Sequence, residues 1–263
     1  MVATAGLSIG VASSVQAGTS SEVNGRLVVG HALAAPPETG ASADTPLSVM
    51  LERAAILHRG GEYQQASAIY RLVLDSPNAP NVELRALVLG QIADVNIERG
   101  MYAEAVTMSR EAIALLREAY KEHTAVFAIA ECILADALHA EGYDEEARNT
   151  ATEALALGRQ TLDTRSPEFA YFLTALGQIL KELGKLGQAE ELCQSALQIL
   201  QRTQAADKID LTTGYQNVAA IQVLRGHPRK ALATTDLALA TWSRVPPPQH
   251  PSFVNALCAE MVV

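Results

Sequence analysis

Five glycines in this chain each stand five residues before an alanine. The pairs are Gly61 and Ala66, Gly100 and Ala105, Gly142 and Ala147, Gly184 and Ala189, and Gly226 and Ala231. Successive alanines are 39, 42, 42 and 42 residues apart. A period in that range marks an array of small supersecondary units, each too small to bury its apolar face alone. An array grows by stacking, so a chain of 263 residues needs no single central core.

The fourth unit shows what is repeated. Ser166 is suited to cap a helix, and Pro167 to its first position, where no amide hydrogen bond is lost. Apolar residues follow at Phe169, Phe172, Leu173, Leu176, Ile179, Leu180 and Leu183, a helical spacing. Gly184 ends this helix, because glycine tolerates the left-handed backbone of a tight turn. A second helix carries Leu186, Ala189, Leu192, Cys193, Ala196, Leu197 and Leu200 on one side. Each unit is therefore expected to be a helical hairpin.

Small residues recur at fixed places in it. Twelve positions before each key alanine stands Ala54, Ala93, Ala135, Gly177 or Ala219, and seven after it stands Val73, Ala112, Ala154, Ala196 or Ala238. Small side chains let helices approach to roughly 8–10 Å. Large ones sit just before the small residue of the first helix at Ile92, Leu134, Leu176 and Val218. The unit reads as a stacking module.

From about Thr45 to Ser243 this pattern resembles the tetratricopeptide repeat. The turn motifs carry the resemblance: Gly61 to Ala66, Gly100 to Ala105, Gly142 to Ala147, Gly184 to Ala189 and Gly226 to Ala231. The third shifts its tyrosine to Tyr143, the fifth has Pro228 at the helix start, and the first has Val73 in place of the second alanine. The common repeat has 34 residues. Steps of 42 are more similar to the kinesin light chain type, with each helix longer by about one turn. The resemblance implies an all-α, right-handed superhelix of five hairpins plus a C-terminal helix. The units run over 47–80, 81–122, 123–164, 165–206 and 207–248, with a partial unit at 250–263.

The same resemblance places the first helix of each unit on the concave side, where a peptide or protein surface would dock. By register the exposed residues of that wall are Asp94, Glu98, Asp136, His139, Tyr171, Thr174, Gln178, Lys181, Gln216 and Asn217. Asp94 and Asp136 occupy equivalent places and would attract a basic or amide-rich peptide, or else are ordinary solvated residues. If they line the groove, Asp94→Lys with Asp136→Lys should abolish partner capture without unfolding the chain. Arrays that clamp a C-terminal carboxylate present asparagine and lysine at fixed places. Here those places hold Leu51, Gly90, Cys132, Thr174 and Gln216, flanked by Glu52, Gln91, Ile133, Ala175 and Asn217. Only Asn217 fits, so no carboxylate clamp is expected.

Other chemistry finds little support. Gly6 to Gly10 matches G-x-S-x-G, but with no strand before it the match carries no meaning. Cys132, Cys193 and Cys258 form no metal-binding cluster, and the histidines show no ligand spacing. Acidic runs such as Asp144 to Glu146 and Glu190-Glu191 fall early in second helices, where they favour the positive end of the dipole. A net charge of −9 disfavours nucleic acid and suits a basic partner. No catalytic constellation, cofactor or metal is expected. The leading reading is a non-catalytic scaffold; the alternatives are a substrate-recruiting subunit of an enzyme complex and a self-associating module.

The two ends differ from the array. Residues 1–17 look like a leader: Val2 to Val15 are small and apolar, and Val15-Gln16-Ala17 resembles a signal cleavage site. No Lys or Arg precedes the run, so export to a periplasmic or secreted location and a cytoplasmic location both stay open. Residues 18–46 read as a linker, interrupted by an apolar run from Leu27 to Ala35 that is too short to span a bilayer. At the other end, Phe253, Val254, Leu257 and Met261 follow His250-Pro251 without a second helix. That segment either caps the fifth unit or leaves an apolar edge for self-association; the cap is favoured.

Overall fold

The computed structural model describes residues 46–76, 81–203 and 208–242. The leader, the linker before Pro46 and the partial sixth unit lie outside them. Among the described residues ten helices form five hairpins: α1 (Leu47–Arg59) with α2 (Tyr63–Leu74), α3 (Val82–Glu98) with α4 (Tyr102–Glu118), α5 (Ala125–Glu141) with α6 (Asp144–Thr161), α7 (Pro167–Glu182) with α8 (Leu186–Arg202), and α9 (Lys208–Leu224) with α10 (Pro228–Trp242). No strand occurs among the described residues.

The turns repeat one geometry. Gly61, Gly100, Gly142, Gly184 and Gly226 have φ of +82°, +73°, +96°, +71° and +74°. After each, an amide reaches back to a carbonyl of the helix just ended, as from Met101 N to Asn96 O at 2.8 Å and from Lys185 N to Leu180 O at 2.8 Å. This is the Schellman closure, which satisfies carbonyls that the helix end leaves open. Helix starts are capped where the sequence suggested it. The Ser166 hydroxyl accepts from Phe169 N at 3.3 Å, and Pro167 opens α7.

Stacking fixes which layer is inner. Each hairpin packs on the next through its second helix, α4 on α5, α6 on α7 and α8 on α9. First helices also touch one another, α3 on α5, α5 on α7 and α7 on α9, whereas no pair of second helices packs closely. The first-helix layer is therefore the short, inner side of the curve. Ala66, Ala105, Ala147, Ala189 and Ala231 are fully buried, as are Ala54, Ala93 and Ala135. One core runs without a break from Ala93 to Ile221.

Gly177 shows how tight the contact is. A Cβ there would stand 2.6 Å from Cys193 Sγ. The third repeat has Ala135 and Ala151 at the corresponding places. Gly177→Ala gains about 1 kcal/mol of helix propensity but overpacks the site by about 1–3 kcal/mol. The expected outcome is a lower denaturant midpoint for Gly177→Ala and its recovery in Gly177→Ala/Cys193→Ala. A single variant as stable as the native chain would contradict this packing.

Candidate functional site

The first helices carry polar residues in a run from one repeat to the next. None of Asp94, Asp136, Tyr171, Thr174, Gln178, Gln216 and Asn217 is more than 9% exposed. Glu98, His139 and Lys181 are half-buried. The register reading had all ten as exposed wall residues, and for the first seven that is corrected here. The physical reason is sideways pairing: each inner helix is flanked closely enough by its neighbours for polar side chains to bond across.

Those cross-links form rungs. The Tyr171 hydroxyl on α7 donates to Asp136 Oδ2 on α5. Gln178 Nε2 on α7 donates to Asn217 Oδ1 on α9 at 2.7 Å. His58 Nε2 on α1 lies 3.8 Å from Asp94 Oδ2 on α3. The Tyr63 hydroxyl on α2 donates to Glu98 Oε2 at 3.1 Å. Successive repeats are thus tied by side-chain pairs as well as by apolar contact. Three residues behave otherwise. The Thr174 hydroxyl donates to Ala170 O within α7 at 3.0 Å. His139 turns away along the chain to Asp144 Oδ1 at 2.7 Å, at the start of α6. Lys181 pairs with its neighbour Glu182 at 3.0 Å.

Two of these rungs, Tyr171–Asp136 and Gln178–Asn217, leave atoms over. Asp136 Oδ1, Gln178 Oε1 and Asn217 Nδ2 are buried with no hydrogen-bond partner among the described residues. Leaving such an atom unpaired costs about 1–3 kcal/mol. Two are acceptors when the carboxylate is ionised, and one is a donor.

Burial pushes the Asp136 carboxyl up from 3.8 to about 6, against the hydrogen bond from Tyr171 and the attraction of His139. Between those values the native state holds a proton that the unfolded chain has lost. Stability therefore falls as pH rises from 3.8 to about 6, and the full penalty remains above that. Two units correspond to about 3 kcal/mol. Asp136→Asn, which still accepts from Tyr171, should remove this decline and raise the melting midpoint at pH 8. An unchanged pH profile in melting experiments would show that Asp136 does not carry it.

A second cluster was not foreseen. Glu190 on α8, read from sequence as a dipole-favouring acid, is 6% exposed. It accepts from Arg225 Nη1, in the turn just after α9, and, at 3.3 Å, from Gln222 Nε2 on α9. Its signal was positional: it directly follows a key alanine, as do the buried Ser67 and Val106. The two described cysteines are poorly placed to react. Cys132 and Cys193 are free and buried, and burial raises both thiols, Cys193 to about 12. Among the described residues no three His, Cys, Asp or Glu side chains gather to hold a metal, and no helix is long and apolar enough to cross a membrane. An apolar notch between the first two repeats is lined by Leu51, Tyr70, Leu84, Leu87, Val88 and Gln91 and lacks convergent charge.

Comparison with known proteins agrees on the repeat. Residues 170–203 match the family model described as the tetratricopeptide repeat. The clustered mitochondria protein homolog of Candida albicans is 27% identical over 117 residues, 44% of this chain but only 9% of that protein. Among solved structures, BtubC (BKLC) from P. vanneervenii superimposes with a TM-score of 0.59 at 20% identity, covering 77% of this chain and 84% of its own. A kinesin light chain-like protein of Podosopora anserina, with nearly identical repeats, gives 0.57 at 18% identity, covering 69% and 85%. At such identities the likeness concerns the fold alone. The chain carries a tetratricopeptide repeat and folds as a solenoid of that kind.

Proposed function

We propose that this tetratricopeptide-repeat protein is a non-catalytic scaffold that docks a peptide or protein segment along its inner, first-helix face. One observation carries the reading: the spare atoms Asp136 Oδ1, Gln178 Oε1 and Asn217 Nδ2 along three successive inner helices. Each belongs to a side chain already held in place by its rung. A peptide main chain offers N–H groups to the first two and a carbonyl to the third. Asp94 and Asp136, at equivalent places, favour a segment bearing Lys or Arg.

The test is capture from an extract of the source cells, followed by titration of the recovered partner. Gln178→Ala/Asn217→Ala removes one complete rung and should weaken binding at least ten-fold. Gln198→Ala, on the exposed face of α8, should not. Equal affinity for all three chains would move the site off the inner face.

A second reading has its own support. On α10, Leu232 is 41% and Leu237 is 52% exposed. Leu232 stands where Ser67, Val106 and Glu190 are each covered by the following repeat. We infer that this edge is covered either by residues 250–263 of the same chain, which lie outside the described residues, or by a second copy. Light scattering against concentration separates them: constant mass supports the cap, and rising mass supports self-association.

A further inference from the structure

The five glycine turns stand side by side along one edge of the array, in repeat order. Along that edge the charge changes sign. Between residues 141 and 146 the third turn carries Glu141, Asp144, Glu145 and Glu146 and no Lys or Arg. Between residues 225 and 230 the fifth carries Arg225, Arg229 and Lys230 and no acid. Such a basic cluster runs against the chain's net charge of −9. The fourth turn, between them, holds both signs at Glu182 and Lys185.

The basic cluster also opposes its own helix. α6 opens on Asp144, Glu145 and Glu146, which suit the positive end of a helix. α10 opens on Pro228, Arg229 and Lys230, and no other second helix has Lys or Arg in its first turn. Within one chain, positive charge so placed is unfavourable. Arg229 and Lys230 are exposed and form no ion pair among the described residues. Arg225 is already taken by Glu190. Glu141 is likewise exposed without an ion pair among the described residues. Glu145 and Glu146 hold only surface partners, Arg148 at 2.9 Å and Arg110 at 3.3 Å. A residue that breaks a local rule with no gain in its own chain points to a use outside it.

Large apolar side chains lie in the same two turns. Tyr143, one residue after Gly142, is 55% exposed, and Leu224, two before Gly226, is 58% exposed. Each turn therefore joins an apolar side chain to charge of one sign.

We propose that a second copy of this chain docks edge to edge on these turns, about a two-fold axis beside the fourth. A two-fold contact uses the same patch on both copies, so the patch must complement itself. With the axis at the fourth turn, the third turn of each copy meets the fifth turn of the other. Glu141, Glu145 and Glu146 then face Arg229 and Lys230 twice over, and Tyr143 lies against Leu224. Complementary charge of this kind fixes register and partner choice. The order of signs selects a second copy over an acidic peptide, which would satisfy the fifth turn and leave the third and Tyr143 without a role. The contact uses neither the inner face nor Leu232 and Leu237 of α10, and it closes at two copies.

Sedimentation equilibrium of the full chain, from micromolar to submillimolar concentration, tests this. The native chain should reach twice the mass of one chain and dissociate more readily as salt is raised, because exposed charges are screened. Glu141→Lys/Glu145→Lys/Glu146→Lys and Arg229→Glu/Lys230→Glu should each weaken the dimer at least ten-fold, since each sets like charges together. An equimolar mixture of the two variants should recover it, because both contacts of the mixed pair again join opposite signs. Misfolding of either variant would not give that recovery. Leu232→Ser/Leu237→Ser should leave the dimer unchanged. A native chain that stays monomeric, a dimer that the turn variants retain, or a mixture no heavier than its components would overturn the proposal. Loss of the dimer in the α10 variant alone would overturn it too, by moving the contact to α10.

Discussion

Phe172→Ala will destabilise the chain by about 3–5 kcal/mol, the range for deleting a buried aromatic ring. Phe172 is 1% exposed. Its ring lies against the backbone of α6, since a Cβ added at Gly158 would stand 3.1 Å from Phe172 Cε1. Phe169 stacks beside it, with centroids 6.4 Å apart. The ring therefore joins the third repeat to the fourth. In a solenoid, stability is a sum of unit and nearest-neighbour terms, so losing one interface weakens the coupling between two halves. We expect the single denaturation transition to fall in midpoint and broaden or split. A loss under 1 kcal/mol with an unchanged slope would show that the two repeats are not joined through this ring.

Asp94→Lys/Asp136→Lys will unfold the middle of the array under mild conditions, with a loss of at least about 3 kcal/mol, because breaking a buried polar pair leaves an uncompensated charge. If these acids were solvent-facing, the same change would cost almost nothing. Asp136 is 1% exposed and bonded to Tyr171, and Asp94 is 4% exposed with His58 near it. A lysine at either place must be accommodated among side chains already in contact. Circular dichroism at 222 nm during thermal melting reads the outcome. A double variant melting within 2–3 °C of the native chain, a shift of about 1 kcal/mol or less, would return both acids to the surface. This pair of charges is therefore the wrong tool for testing partner capture, and the neutral Gln178–Asn217 rung is the better one.

The fold was legible because stacking leaves a strong periodic trace. Glycine at the turn and alanine at the crossing have steric causes, and both recur at constant spacing. All five turn glycines adopt positive φ, and each key alanine is buried. The wall was harder to read. Register says which side of a helix a residue occupies, but not whether that side meets water. Asp136 and Gln178 were assigned to the correct helices as free wall residues, yet each is spent partly on the neighbouring inner helix. His139 was misjudged more simply: its bond to Asp144 closes across the local turn, a short-range contact that helical period ignores. Glu190 was missed because Arg225 and Gln222 lie more than thirty residues away in sequence. Only the repeat alignment brings them together.

The most direct measurement compares the two layers in one experiment. A diazirine-bearing lysine analogue replaces Lys181, at the half-buried inner wall, or Gln198, on the exposed outer face. Each full chain is irradiated in an extract of the source cells, and the adducts are mapped by mass spectrometry. The inner probe should attach to a discrete partner segment, while the outer probe labels nothing reproducibly. A discrete partner captured by the outer probe, with none at position 181, would contradict an array that docks its ligand on the inner face.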